Sequence, residues 1–171
     1  MLHRKYAAGW GLRAEERFDQ WSFWGPTPRA AAGVAILVRP GGRITNPRPF
    51  WEQHWTQWFI AIQFEVEGVT HKVINVYGPI DASERERVFQ QIADNDCPTG
   101  PVLVGGDFNC TLDDHIDRSN STRHTHDSIA LHELLRTWQL RDVLEEEQAE
   151  ISNERERREF HARRHTYRYR L

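Results

Sequence analysis

Pro101-Val102-Leu103-Val104-Gly105-Gly106-Asp107-Phe108-Asn109 is the stretch on which the fold and the chemistry of this chain turn. The apolar run Val102 to Val104, entered through Pro98 and Pro101, reads as a short buried strand that stops at two glycines, where the backbone can approach a ligand closely. If the extended conformation persists, the period-two geometry of a strand sends Asp107 and Asn109 to one face and Phe108 to the other. A carboxylate there can hold a hard cation or take a proton from water, and an amide can donate to a phosphate oxygen or offer its carbonyl to a metal. The competing reading is structural: a strand end closed by an Asx turn.

The 171 residues suit one domain, taken as residues 1–171. With 39% hydrophobic and 27% charged residues the chain is globular, and no apolar run approaches the roughly 18 residues of a membrane span. Met1 to Trp10 is basic but has no apolar segment of the kind secretion requires, so no signal peptide is expected. Cys97 and Cys110 have neither metal-site spacing nor a disulfide framework, which points to a reducing, intracellular compartment. The net charge of −3 does not mark a strongly basic nucleic-acid binder. Among the 22 basic residues only Lys5 and Lys72 are lysine; the arginine bias suits bidentate phosphate contacts and equally fits a compositional bias of the coding sequence. Near the end Glu145 to Glu147 form an acidic block and Arg155 to Arg170 an arginine-rich tract.

Met1 to Arg29 reads as irregular surface loops pinned by Trp10, Trp21 and Trp24. Ala31 to Val38 is a strand whose near-continuous apolar character predicts cover on both faces, ended by Pro40-Gly41-Gly42. Trp51, Trp55 and Trp58 stand at helical spacing and read as packing residues. Ile60, Ile62, Phe64 and Val66 alternate with polar or small residues, Glu67-Gly68 turns the chain, and Val69 to Tyr77 completes a β-hairpin that brings Asn75 and Tyr77 to one face. Ser83-Glu84-Arg85-Glu86 has the form of a capping box for a helix with the stripe Val88, Phe89 and Ile92. Thr111 to His126 is a polar loop; its His124-x-His126 pair and nearby carboxylates have the makings of a transition-metal site or of an ordinary solvated loop. Asp127 is placed to cap a helix with the stripe Leu131, Leu134, Leu135 and Trp138, and His165 to Tyr169 alternates like a strand.

Three pieces in this order, Val73-Ile74-Asn75-Val76-Tyr77-Gly78-Pro79, Ser83 to Phe89, and Gly105-Gly106-Asp107-Phe108-Asn109 with Asp117-Arg118 beyond, resemble the endonuclease/exonuclease/phosphatase superfamily. The resemblance is strongest to the apurinic-type endonuclease domain of non-LTR retrotransposons and runs over nearly the whole chain. It implies an α/β fold, an incomplete four-layer α/β sandwich of two packed, mostly antiparallel sheets flanked by helices. It also implies a metal-dependent phosphodiesterase that nicks DNA, with Mg2+ as cofactor and Mn2+ as the alternative. On that likeness Asp107 orients or deprotonates the attacking water, Asn109 positions the scissile phosphate, Tyr77 contacts that phosphate, and Thr166 contacts DNA. Asp107 and Asn109 are also the implied metal-binding residues.

The resemblance is that of a domain truncated at both ends. The family's N-terminal asparagine and its metal-holding glutamate would precede Met1, and its terminal Asp-His pair would follow Leu171. Ile80 stands where many members have an asparagine that contacts substrate. Little or no nuclease activity is therefore expected of this chain alone, and self-association through exposed sheet edges is expected as well. The alternative function is a nonenzymatic remnant or a nucleic-acid- or protein-binding module using the arginine tract. DNA is the implied partner, no membrane association is expected, and the resemblance alone would place the protein in the nucleus.

Overall fold

The computed structural model describes residues 21–26, 33–110, 112, 128–142 and 167–170. The chain divides into two units, Met1–Asn75 and Val76–Leu171. In the first, Ser22–Trp24 (β1) pairs antiparallel with Ala35–Leu37 (β2), Phe23 lying opposite Ile36. The stretch expected to be irregular thus contributes a strand. Three residues of Ser, Phe and Trp are too few to show a period, and only the pairing with β2 marks them. Leu37 is 44% exposed, so β2 is not covered on both faces; Val34 and Val38, just outside it, are the buried residues.

Thr45–Phe50 (β3) pairs antiparallel with Phe59–Val66 (β4), with a register shift between Thr45 and Arg48. A Thr-Asn-Pro-Arg-Pro-Phe sequence does not read as a strand, because prolines cannot donate to a ladder. They are tolerated here since β3 is an outer strand. The tryptophans expected at helical spacing instead flank a single 3-10 turn, Glu52–His54. Trp51 stacks on Phe50 at 4.5 Å and Trp55 Nε1 donates to the Phe50 carbonyl at 2.9 Å, so they do pack.

In β4, Phe59, Ile60, Ala61 and Ile62 are all buried, which erases the alternation expected from the sequence; β1 and β2 both pack against this strand. Glu67 and Gly68, both with positive φ, form the two-residue turn into Val69–Tyr77 (β5).

The second unit opens with the end of β5 and continues into helix Ala82–Ala93 (α1). Its N-cap is Asp81, two residues before the Ser83 expected in that role. The Asp81 carboxylate accepts from Glu84 N–H at 2.9 Å and from the Ser83 hydroxyl at 2.8 Å. A charged acceptor one turn before Glu84 takes the orphan amide, and Ser83 becomes the second residue of the helix. Val88, Phe89 and Ile92 form the buried stripe, joined by Arg85.

Val102–Asp107 (β6) follows, then Ile129–Thr137 (α2), which packs on α1. Ser128 rather than Asp127 caps α2, its hydroxyl accepting from Leu131 N–H at 3.1 Å, and Glu86 Oε2 accepts from Ala130 N–H at 2.8 Å. Ala130, Leu131, Leu134 and Trp138 are buried, whereas Leu135 is only half-buried.

Arg141–Asp142 (β7) and β6 both pair antiparallel with Tyr167–Arg170 (β8), giving the order β6-β8-β7. Leu103 in β6 is 37% exposed between buried Val102 and Val104, so this strand alternates instead of burying both faces. Among the described residues the architecture is α/β, with mostly antiparallel sheets and two α-helices, which bears out the expected α/β fold class.

Candidate functional site

Strand β6 ends in two glycines, and Gly106 takes a φ of 137° that suits glycine. Asp107 is the last strand residue and is exposed. Phe108 turns inward, 3% exposed, and stacks on Phe89 of α1 with ring centroids 5.9 Å apart. Asn109 then leaves the extended region for φ 48°, and its N–H donates to Asp107 Oδ1 at 3.2 Å. The Asx turn that competed with the functional reading is therefore present. It is compatible with function, because the turn fixes one carboxylate oxygen and leaves Oδ2 free of it.

The end of β5 meets this turn directly. Gly78 N–H donates to the Asp107 carbonyl at 2.6 Å, and Asn109 Nδ2 donates to the Gly78 carbonyl at 2.8 Å. A Cβ at Gly78 would lie 2.2 Å from the Phe108 carbonyl oxygen, so only glycine permits this approach. Tyr77, half-buried, and Asp107 are thereby held on two backbone segments in hydrogen-bonded contact. Asn109 has one amide N–H committed to Gly78, which leaves its second N–H and its carbonyl oxygen for a ligand. Pro79 is buried and Ile80 is 81% exposed. The guanidinium of Arg85, 1% exposed, donates through Nη1 to the Pro79 and Ile80 carbonyls at 3.2 and 3.1 Å.

The structure thus brings Asp107, Asn109 and the backbone of Tyr77 to one place. Asn75 is used elsewhere, its Nδ2 donating to the Ala35 carbonyl at 3.0 Å. Thr166, Asp117, Arg118 and the His124 and His126 pair lie outside the described residues. Gly78 and Arg85 were not singled out by sequence reasoning. Arg85 did carry a signal, since it precedes Val88, Phe89 and Ile92 at three, four and seven residues, on the apolar stripe of α1.

A model of the endonuclease/exonuclease/phosphatase family matches residues 2–171. The chain belongs to this family. As a family member it is also similar to an uncharacterized 149 kDa protein of transposon TX1 from Xenopus laevis, 34% identical over 97 residues, which are 53% of this chain and 7% of that protein. The endonuclease domain of TRAS1, a telomere-specific non-LTR retrotransposon, superposes with a TM-score of 0.55 at 16% identity, over 71% of this chain and 54% of that one. That likeness supports the fold.

Members of this family generally use divalent metal ions. Among the described residues no group of three or more His, Cys, Asp or Glu side chains is placed to hold one. The Asp107 carboxylate and the Asn109 amide carbonyl are hard oxygen donors. They fit a cation whose other positions are filled by water and substrate phosphate more than one caged by protein alone. No helix among the described residues is long and apolar enough to cross a membrane.

Proposed function

We propose that this chain is a retroelement-type nuclease domain and that the Tyr77-Gly78 and Asp107-Asn109 pair of turns is the phosphate-holding part of a phosphodiesterase site acting on DNA. The observation that carries this reading is the hydrogen bonding of Gly78 with Asp107 and Asn109, which ties the backbone segment carrying Tyr77 to the turn carrying the carboxylate and the amide. Preorganised donors around a phosphate are what stabilise the charge of an in-line displacement.

In this reading the Tyr77 hydroxyl and the uncommitted Asn109 N–H donate to nonbridging phosphate oxygens. Asp107 orients the attacking water and accepts its proton, and Thr166 touches the DNA strand. A bound Mg2+, or Mn2+ in its place, would supply charge neutralisation at the phosphate, with Asp107 and Asn109 as its protein ligands. A retroelement nuclease of this kind would act in the nucleus. With Asp107 and Asn109 as the two proposed protein donors for the cation, these 171 residues are expected to bind DNA more readily than they cut it.

The test is duplex binding and plasmid nicking by the purified chain, with and without Mg2+, beside Asp107→Ala and Tyr77→Phe. Binding that strengthens with Mg2+, loses that increment in Asp107→Ala and weakens about tenfold in Tyr77→Phe is expected, with nicking near background. Duplex binding indifferent to Mg2+ and to both substitutions would show a nonenzymatic binding module instead.

A further inference from the structure

The guanidinium of Arg85 occupies a core position of α1, on the same stripe as Val88, Phe89 and Ile92. Only Nη1 is hydrogen-bonded; Nε and Nη2 are buried without a partner. Neither the Arg43–Glu67 nor the Arg136–Glu133 ion pair involves it. Burying an arginine cation costs a great deal unless a carboxylate or another anion answers it, and a core position would be better served by leucine or methionine. The charge must therefore be answered by something outside this set of contacts. Its position indicates what: the two carbonyls it holds are those of Pro79 and Ile80, the residues directly after Tyr77-Gly78.

We propose that Arg85 is a positioning residue of the phosphate site. It holds the turn after Tyr77 by two successive carbonyls and sets a positive charge beneath it that is neutralised when a DNA phosphate arrives. This deepens the function proposed above and rests on it. In a low-dielectric setting a unit charge acts at several ångströms, so the field reaches a phosphate at Tyr77 and Asn109 without contact. Arg85 touches no reacting atom. It accounts for why a stripe otherwise made of Val, Phe and Ile carries a cation at its first position.

The experiment compares the full chain with Arg85→Lys and Arg85→Gln, measuring affinity for a short DNA duplex at fixed salt and Mg2+, with thermal unfolding in parallel. Binding about tenfold weaker in Arg85→Gln, restored to within about threefold in Arg85→Lys, is expected. A purely structural role would lower the unfolding temperature of both variants and leave the affinity of the folded protein alone, which would overturn the proposal. Equal affinity losses in both variants would also overturn it, since charge would then be irrelevant.

Should the variants fail to fold, the wild-type chain decides through NMR of its Arg85 Nε–H. A shift and slower solvent exchange on adding the duplex support the proposal, and an unmoved signal overturns it. Wild-type protein that does not bind the duplex at all sinks the function reading, and this inference with it. Wild-type binding that survives Arg85→Gln intact sinks the inference only.

Discussion

At Gly78 the backbone has no room for a methyl group: a Cβ would sit 2.2 Å from the Phe108 oxygen and 2.7 Å from its carbonyl carbon. Neither obstacle is the free end of a side chain, so relief requires the two turns to separate and gives up the Gly78 bonds to Asp107 and Asn109. Gly78→Ala is expected to destabilise the chain by about 3 kcal/mol, read from the urea midpoint, and to weaken duplex binding in whatever fraction remains folded. Asn109 is the opposite case. Its φ of 48° lies where asparagine is tolerated better than most residues, and its side chain bonds back to Gly78, so the strain of the turn and its closure sit in one residue. The Gly-Asp-x-Asn spacing revealed which side chains gather here. It could not reveal the turn, because the extended and Asx conformations place the same residue types at the same numbers and only the contact from Gly78 decides between them.

Helix α1 begins at a cap whose protonation is linked to folding. The Asp81 carboxylate accepts from Glu84 N–H and, next in weight, from the Ser83 hydroxyl, and these bonds hold its pKa below the ordinary value of 3.8. A depressed folded-state pKa means that the stabilisation is present in full above the unfolded value and is lost as pH falls through the folded one. Amide protection in the first turn of α1, taken relative to the intrinsic exchange rate at each pH, should therefore fall below about pH 4, and Asp81→Asn, which caps without titrating, should flatten that dependence. The β4–β5 turn offers a change in the other direction. Glu67 has φ 52° ahead of Gly68, and its ion pair with Arg43 is largely exposed and worth little. Glu67→Asn creates an Asn-Gly turn and is expected to raise stability by about 0.5–1 kcal/mol, measured by thermal unfolding.

Elements with a strong period were legible in advance: the β4–β5 hairpin, the α1 stripe, the run into Asp107 and the strand at Tyr167. Those missed had no period to read. β1 is three residues long, and β3 breaks its ladder with Pro47 and Pro49 and is a strand only because Pro49 and Phe50 face Ile62 and Ala61.

On the scale of the whole molecule, self-association through sheet edges, expected from the sequence, remains a proposal with a defined constraint. In the Met1–Asn75 unit β3 is an outer strand, and the missing N–H groups of Pro47 and Pro49 make it a poor template for another chain. Any pairing should therefore use another edge. Sedimentation of the full chain across a concentration series is expected to show reversible dimers whose formation is unaffected by Pro49→Val; a monomer at every concentration would remove the proposal.

The contact between Gly78 and Phe108 also works as a clock. Every missense change of a glycine codon adds a side chain, so position 78 has no neutral amino-acid neighbour, whereas exposed Ile80 two residues later can be exchanged freely as far as folding is concerned. In sister copies of this reading frame, mutation without selection would strike the two positions at comparable rates. Copies that keep glycine at 78 while varying at 80 would bear the mark of purifying selection on a folded product, and copies that lose both alike would be fossils.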